Sequence, residues 1–197
     1  MPFADAFFRD IDRRWRFGSG ARLRLGVIGC AALSMQVDYD RGTKDSDVLE
    51  TRAVDALAKE RLLALAGERT DLATRHGLFI QFVPSGLPFL RQRPVWHAQA
   101  ELNASLKHFE VEVLDVLDVV VSKLKRLHRD DATDIEAMAG RGLVDHRALV
   151  ECFREALDFH GLGAGADDLE RCVENLHWVE RDVLGVAETE IELPDWA

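Results

Sequence analysis

The chain opens with apolar residues at three- and four-residue steps, separated by charged ones: Phe3, Phe7, Phe8, Ile11 and Trp15. This spacing predicts an amphipathic helix over residues 2–17. The next apolar run predicts a strand over 23–28. A short helix is predicted over 31–37, followed by a charged loop over 38–45 and a short strand that begins at Ser46.

The middle of the chain alternates between helical and strand patterns. Residues 54–74 are rich in Ala, Leu, Glu and Arg, which are strong helix formers, and they predict one long helix. An aromatic and β-branched run predicts a strand over 78–83, and a loop rich in proline and glycine follows over 85–95. The alternation Phe-Glu-Val-Glu-Val-Leu indicates that a further strand or hairpin ends at residues 109–114.

From Asp115 onward the apolar patterns are helical. The predicted helices cover residues 115–128, 130–139, 146–159 and 167–184. Strands that alternate with helices and then give way to a run of helices indicate an α+β or mixed α/β fold. We therefore expect an α+β fold, a mixed sheet flanked by helices. Its α/β core would cover residues 1–114 and its helical part residues 115–197, as two domains or one continuous domain.

Charge is distributed unevenly along the 197 residues. Lys and Arg number 25 against 35 Asp and Glu, a net charge of −10, and 47% of the residues are hydrophobic, which excludes a disordered chain. Residues 145–197 carry 14 acids and 4 bases, so residues 1–144 carry 21 of each and are neutral. A uniformly basic nucleic-acid-binding surface is excluded, but a local cleft lined by Lys and Arg is permitted.

Cysteine usage and hydropathy bear on the cellular compartment. The three cysteines are odd in number and share no Cys-x-x-Cys spacing, which argues against a disulfide framework or a structural zinc site. The longest apolar stretch, residues 23–35, is shorter than the roughly 20 residues that span a bilayer. Charged residues interrupt the N-terminal region where a leader needs an apolar core. We expect a cytoplasmic, reduced protein with no membrane segment.

Two short segments carry the most informative chemistry. A strand that ends at Gly29 and feeds a helix leaves backbone N–H groups free to bind phosphate. Asp45 and Asp47 stand at i and i+2 where the charged loop meets the next strand, and two carboxylates so spaced on a strand project from one face and can chelate Mg²⁺. The alternative interpretation is a turn-rich loop whose acids are solvated or cap a helix.

These segments resemble a known family. Gly29-Cys30, followed by Arg-x-Thr-x-Asp-x-Asp over residues 41–47, is similar to the signature of the polymerase-β-type nucleotidyltransferase superfamily. The resemblance is closest to its small bacterial members related to the AbiEii toxins and to the uncharacterised families around them. These also carry a Ser-Lys-Leu helix with a basic and acidic continuation, matched here by residues 122–124 and 129–134. The resemblance covers about residues 20–150.

The resemblance implies a Mg²⁺-dependent nucleotidyltransferase that moves a nucleotidyl group from an NTP to an RNA or protein acceptor. It also implies a link to toxin–antitoxin systems, with an antitoxin or another protein as partner. Asp45 and Asp47 would be the catalytic and metal-binding residues. The nucleotide-binding residues would be Gly29, Cys30, Thr43, Lys44 and Lys123. By its residues alone, Lys123 lies on an apolar helix face, which fits a phosphate ligand and simple snorkelling equally.

The chain departs from the family pattern at the third carboxylate. The superfamily takes that acid from a later strand, and the matching run over residues 79–83 has Gln81 at the position. A neutral amide cannot replace the charge. Either Glu110 or Glu112 substitutes from the neighbouring strand, or one metal site is lost. The alternatives are therefore a catalytically impaired nucleotide-binding or partner-binding protein of the same fold, or an interaction module whose acidic helices dock a basic partner.

Overall fold

The computed structural model describes residues 3–17, 20–37, 39, 45–49, 54–161 and 166–193. It confirms the predicted α+β fold, with a five-stranded mixed sheet and helices. The elements are, in chain order, α1 (Phe3–Arg14), β1 (Leu23–Val27), α2 (Gly29–Gln36), β2 (Asp45–Leu49), α3 (Ala56–Ala66), α4 (Asp71–His76), β3 (Phe79–Val83), β4 (Trp96–Ala98), α5 (Ala100–Ser105), β5 (Phe109–Leu114), α6 (Val116–Lys123), α7 (Arg129–Gly140), α8 (His146–Gly161), α9 (Ala166–Trp178) and a terminal π-helix (Val179–Leu184).

The contacts within the chain divide it into two compact units. The first comprises residues 1–87 and 96–114 and holds the sheet with helices α1 to α5. The second comprises residues 88–95 and 115–197 and is helical. The proline-containing loop before β4 therefore belongs with the helices that follow β5.

The sheet of the first unit has the strand order β3-β2-β1-β5-β4. Central strand β1 pairs antiparallel with β2 and parallel with β5. The two edge strands differ, since β3 runs parallel to β2 whereas β4 runs antiparallel to β5. Because β1 and β5 are parallel, their carboxyl ends lie at the same edge of the sheet.

The two faces of this sheet have opposite character, as strand alternation requires. One face is apolar, and its residues are at most 1% exposed: Leu25, Val27, Val48, Ile80, Phe109, Val111 and Val113. Helix α1 adds fully buried side chains to this core, including Phe7 and Ile11. The opposite face carries the buried Leu49 and Leu114 together with six partly or fully exposed residues, Arg24, Asp47, Gln81, Trp96, Glu110 and Glu112, and is called the polar face below.

The segment 88–95 is held by side chains of the second unit. Phe89 packs against Phe153, with ring centroids 5.6 Å apart, and the backbone N–H of Leu90 donates to Nε2 of His160 at 3.1 Å. Arg91 forms a bidentate ion pair with the buried Asp118 on α6. A loop that its composition marks as irregular is thus firmly anchored.

The prediction of one long helix over residues 54–74 is wrong, because the structure has two helices there. Helix α3 ends at Ala66 with Gly67 as its C-cap, and the N–H of Thr70 then donates to the Gly67 carbonyl. The Thr70 hydroxyl accepts from the N–H of Ala73 at 3.2 Å and caps α4. A glycine stop followed by a threonine cap outweighs the high helix propensity of the surrounding residues.

Two further differences concern residues 96–114 and the last helix. Strands β4 and β5 pair antiparallel as a hairpin would, but helix α5 lies between them. The buried Asn103 of α5 exchanges two hydrogen bonds, of 2.7 and 2.8 Å, with the backbone of Val111. The helix predicted over 167–184 changes at Trp178 into the π-helix. In the described part of the chain no helix has the length and apolarity that spanning a bilayer requires.

Candidate functional site

The turn between β1 and α2 is built around Gly29. Its φ of +66° lies in the left-handed region, which glycine adopts without the strain that a side chain adds. Helix α2 begins at this residue, and its N-cap Ile28 provides no side-chain hydrogen bond to the first turn. Ile28 therefore gives the first turn no cap from its own side chain, and the positive end of the α2 dipole lies at this turn, where it favours anions. Cys30, the next residue, is buried.

Asp47 of β2 lies directly against this turn. The N–H of Ile28 donates to the backbone carbonyl of Asp47 at 2.8 Å, which aligns the two strands there. A Cβ placed on Gly29 would stand 3.1 Å from Oδ2 of Asp47. Glycine thus lets the carboxylate approach the backbone of the turn, and a carboxylate and a helix N-terminus share one edge of the sheet.

Replacing Gly29 by Ala is expected to lower the free energy of unfolding by about 1–2 kcal/mol, because alanine resists the left-handed conformation. The new methyl group would also press on the Asp47 carboxylate. Urea denaturation followed by circular dichroism measures the change. Gly20→Ala is the matched control, since a Cβ there meets nothing within 4 Å. Equal stability of the two variants would contradict the prediction.

Three of the predicted site residues lie wholly or partly outside the part of the chain that the structure describes. Thr43 and Lys44 lie outside the described residues. Asp45 is the first residue of β2, so its backbone position shares a face with that of Asp47, but its side chain also lies outside the described part. The described donor set at this edge of the sheet is therefore the Asp47 carboxylate and the N-terminus of α2.

Gln81 stands beside Asp47. Strands β2 and β3 are parallel, and the Cα atoms of these two residues are register partners. Side chains of register partners point to the same face of a sheet, so the Gln81 amide lies on the polar face next to the carboxylate. The position that the superfamily resemblance assigns to a third acid is thus adjacent to Asp47, and it is occupied by an exposed neutral side chain.

The sequence interpretation took Glu110 and Glu112 to lie on a neighbouring strand, but the strand that carries them does not neighbour β2. They belong to β5, and β1 separates β5 from β2. Glu112 is paired in register with Gly26 and lies 3.9 Å from Arg24. Burial raises the pKa of Glu112 despite the charge of Arg24, and Glu110 adds to the rise. The strand order therefore leaves neither acid adjacent to Asp47.

Lys123 is paired with carboxylates inside the second unit, which does not support its predicted contact with a nucleotide. Its side chain is 7% exposed, and its Nζ lies 2.9 Å from Oδ1 of Asp131 and 2.8 Å from Oδ2 of Asp134. Arg126 also donates to Asp131, at 2.9 Å. The ammonium joins α6 to two acids of α7 and is directed away from solvent. The Ser-Lys-Leu segment and its acidic continuation thus form a buried ion cluster.

The oxygen donors at the Gly29 edge could supply one or two of the ligands of a magnesium ion. Mg²⁺ is commonly held by one or two carboxylates together with waters and substrate phosphates. Asp47 and the β2 position of Asp45 fit that description, and glycine makes room for the carboxylate beside the turn. Among the described residues, no group of three or more His, Cys, Asp or Glu side chains is placed to bind a metal ion.

The sequence interpretation missed one residue of the polar face. Trp96 of edge strand β4 extends its ring to Gly26 on β1, where a Cβ would stand 3.0 Å from Cζ3 and Cη2 of the indole. A glycine inside a strand pattern indicates the close approach of another group. That indication was present in the run Leu-Arg-Leu-Gly-Val, but the sequence alone does not name the group.

Comparison with known proteins bears on these features. A family model described as a nucleotidyltransferase of unknown function (DUF6036) matches residues 8–161, which is 154 of the 197 residues. The match includes the Gly29 turn, β2 and the Lys123 cluster. Searches of curated proteins and of solved structures give no significant match.

Proposed function

The chain belongs to this DUF6036 family of nucleotidyltransferases, and from that premise we propose that it binds an NTP with Mg²⁺ and transfers the nucleotidyl group to an acceptor. The observation that carries the proposal is the Asp47 carboxylate beside the Gly29 turn, with Oδ2 3.1 Å from the position of a Cβ. A carboxylate and a helix N-terminus next to each other suit a metal-bound triphosphate.

The residues have distinct roles in this proposal. The first N–H groups of α2, behind Gly29 and Cys30, hold the phosphates. Asp45 and Asp47 hold Mg²⁺, which when bound supplies charge neutralisation to the transferring phosphoryl group. Gln81 donates or accepts a hydrogen bond beside Asp47 but adds no charge. Thr43 and Lys44, just before β2, contact the triphosphate.

The acceptor and the biological setting form the finer part of the proposal. We propose an RNA or protein hydroxyl as acceptor and a toxin–antitoxin setting in which an antitoxin restrains the enzyme, as the likeness to AbiEii-type proteins implies. The neutral balance of residues 1–144 supports the acceptor part, because it does not repel a polyanion. The excess acid of residues 145–197 suits a protein partner with basic side chains.

A second candidate function is favoured by Gln81. A protein that retained the fold but lost the third carboxylate would bind nucleotides or a partner without transferring anything. Gln81 is in register with Asp47, so the missing charge falls where a second metal ion would need it. Only an activity measurement separates this candidate from the first.

Wild-type protein is expected to gain thermal stability with at least one NTP in the presence of Mg²⁺, and Asp47→Asn is expected to lose that gain. A ligand at 100 times its Kd stabilises by about 2.7 kcal/mol, which raises the Tm by several degrees in a chain of this size. Glu68→Gln is the control, since it removes an exposed carboxylate in the connection between α3 and α4. Absence of a response to every NTP would contradict both candidate functions.

A labelled-NTP transfer assay then divides the two candidates. Transfer by the wild type supports the enzyme, and Gln81→Asp is expected to increase the rate because it restores an acid beside Asp47. Nucleotide binding without transfer in the wild type, together with transfer in Gln81→Asp, supports the impaired binding protein.

A further inference from the structure

Trp96 is an aromatic side chain on the same face of the sheet as Glu110 and Glu112, with the buried Leu114 as its register partner. It lies on the polar face of the sheet, where its strand pairs with β5 through the partners Trp96 and Leu114. The ring is partly exposed. A soluble domain normally buries an indole in its core, whereas this one reaches across β5 to the central strand β1.

Gly26 makes this arrangement feasible. Any side chain on Gly26 would stand 3.0 Å from two atoms of the indole, which is closer than normal van der Waals contact. Glycine within a central strand lowers stability and offers no side chain to pack. The middle of the sheet is thus covered by the indole of Trp96 and not by a side chain of β1.

The indole and the candidate phosphate site share one face and one edge of the sheet. On one side of β1, Asp47 of β2 is the register partner of Gln81 and accepts the backbone hydrogen bond of Ile28. On the other side, β5 pairs with β1, and its last residue Leu114 is the register partner of Trp96. Gly26 precedes Ile28 by two residues, so its Cα lies about 8 Å from that of Asp47, diagonally across one strand spacing. A nucleotide whose phosphates lie at the Gly29 turn has its base at such a separation from them.

The charges on this face order the parts of the ligand. Glu112 is the register partner of both Gly26 and Ala98, and Glu110 lies two residues before it. These carboxylates, offset in part by Arg24 at 3.9 Å from Glu112, repel phosphate from the Trp96 end of the face, whereas the positive end of the α2 dipole attracts phosphate to the other end. The indole already covers Gly26, so the ligand group at this end would lie on the outer face of the ring, where a neutral, flat group such as a nucleobase fits.

We propose that the Trp96 indole is the stacking surface for the nucleobase of the bound NTP. Gly26, which has no side chain, leaves the space that the ring needs. This inference rests on the proposed nucleotide-binding function. Stacking tolerates every base, because each base has a π-face, so Trp96 contributes affinity for all four NTPs. The phosphate end of the site does not depend on the indole.

The test compares Mg-ATP with Mg-tripolyphosphate, which has the phosphates but no base. Trp96→Ala is expected to weaken Mg-ATP binding about tenfold and to leave Mg-tripolyphosphate binding unchanged. Trp96→Phe retains most of the Mg-ATP affinity, since a phenyl ring still stacks. Mg-ATP is expected to quench the intrinsic fluorescence of the wild type, and this quench is expected to be lost in Trp96→Phe but retained in Trp178→Phe, the control in the helical unit.

The possible outcomes distinguish failure of the stacking role from failure of the proposed nucleotide-binding function. Unchanged Mg-ATP affinity in Trp96→Ala, with tight binding by the wild type, overturns the stacking role and leaves the proposed function standing. Equal losses for Mg-ATP and Mg-tripolyphosphate also overturn it, because Trp96 then only supports the fold. If the wild type binds neither ligand, both proposals fail. The fluorescence arm on Trp96→Phe decides the matter even where Trp96→Ala does not fold.

Discussion

Replacing Lys123 by Met is expected to lower the free energy of unfolding by about 3–5 kcal/mol at pH 7, the cost of removing one partner from a buried ion pair. The side chain is 7% exposed and its ammonium lies within 3 Å of two carboxylates. Met matches the length and apolar stem of Lys, so packing is largely kept. The loss arises because Asp131 and Asp134 remain in a buried environment without the cation that they share.

The loss is expected to shrink as the pH falls. Burial raises the pKa of Asp131, but the hydrogen bond from Arg126 and the charge of Lys123 together hold it below its usual value of 3.8. A carboxyl with a lowered folded pKa stabilises the protein above pH 3.8, and that contribution is lost as the pH falls through the folded pKa. Without Lys123 the effect of burial gains weight, so ionised Asp131 costs stability that protonation relieves.

Urea denaturation of both proteins at pH 7 and pH 4 measures this change. Arg126→Met is the control, since Arg126 donates to the same carboxylate but its side chain is 66% exposed. It is expected to cost at most about 1 kcal/mol, as exposed pairs do. A Lys123→Met protein as stable as the wild type at pH 7, or equally destabilised at both pH values, would contradict the assignment of a buried ion cluster.

Replacing Asp118 by Asn is expected to cost about 3 kcal/mol, the lower end for a buried pair because Arg91 is 20% exposed. Asp118 is fully buried, and its two carboxylate oxygens accept from Nε and Nη2 of Arg91, each at 2.9 Å. The N–H of Val95 donates to the same carboxylate at 3.0 Å. An amide presents N–H groups to a guanidinium that has no acceptor, so one contact becomes repulsive.

Chemical denaturation gives the size of the effect, and limited proteolysis locates it. Cleavage after Arg91 by trypsin is expected to accelerate in Asp118→Asn, because segment 88–95 loses its anchor. Glu155→Gln is the control, since Glu155 also pairs with Arg91, at 3.2 Å, but is 60% exposed. The prediction fails if the two variants resist trypsin and urea equally.

Local patterns predicted much of the fold because the information is carried by neighbouring residues. The alternation of residues 109–114 predicts β5, and the charged and apolar spacing near Trp15 predicts α1. The break after Gly67 was missed because one glycine and one threonine stand among strong helix formers. The π-helix was missed because the apolar spacing continues through Trp178 without a stop residue.

The site depends on strand order, which local patterns do not contain. The pairing of Gly29 with an Asp-x-Asp strand was expected from the resemblance, and the structure places Asp47 at that turn. The expected neighbour relation of Glu110 and Glu112 was wrong, because β1 lies between β5 and β2. Lys123 and Trp96 illustrate the same limit, since their partners are eight and seventy residues distant in the chain.

The anchored segment 88–95 has a consequence for how the protein is made. The chain passes between its two units three times, after residues 87, 95 and 114, so the helical unit is interrupted by two strands of the sheet. During synthesis, Phe89 and Leu90 leave the ribosome before Phe153 and His160 exist to cover them. A fragment that ends at residue 114 would retain these apolar side chains without their cover and would be prone to aggregate, whereas the whole chain buries them once α8 is complete.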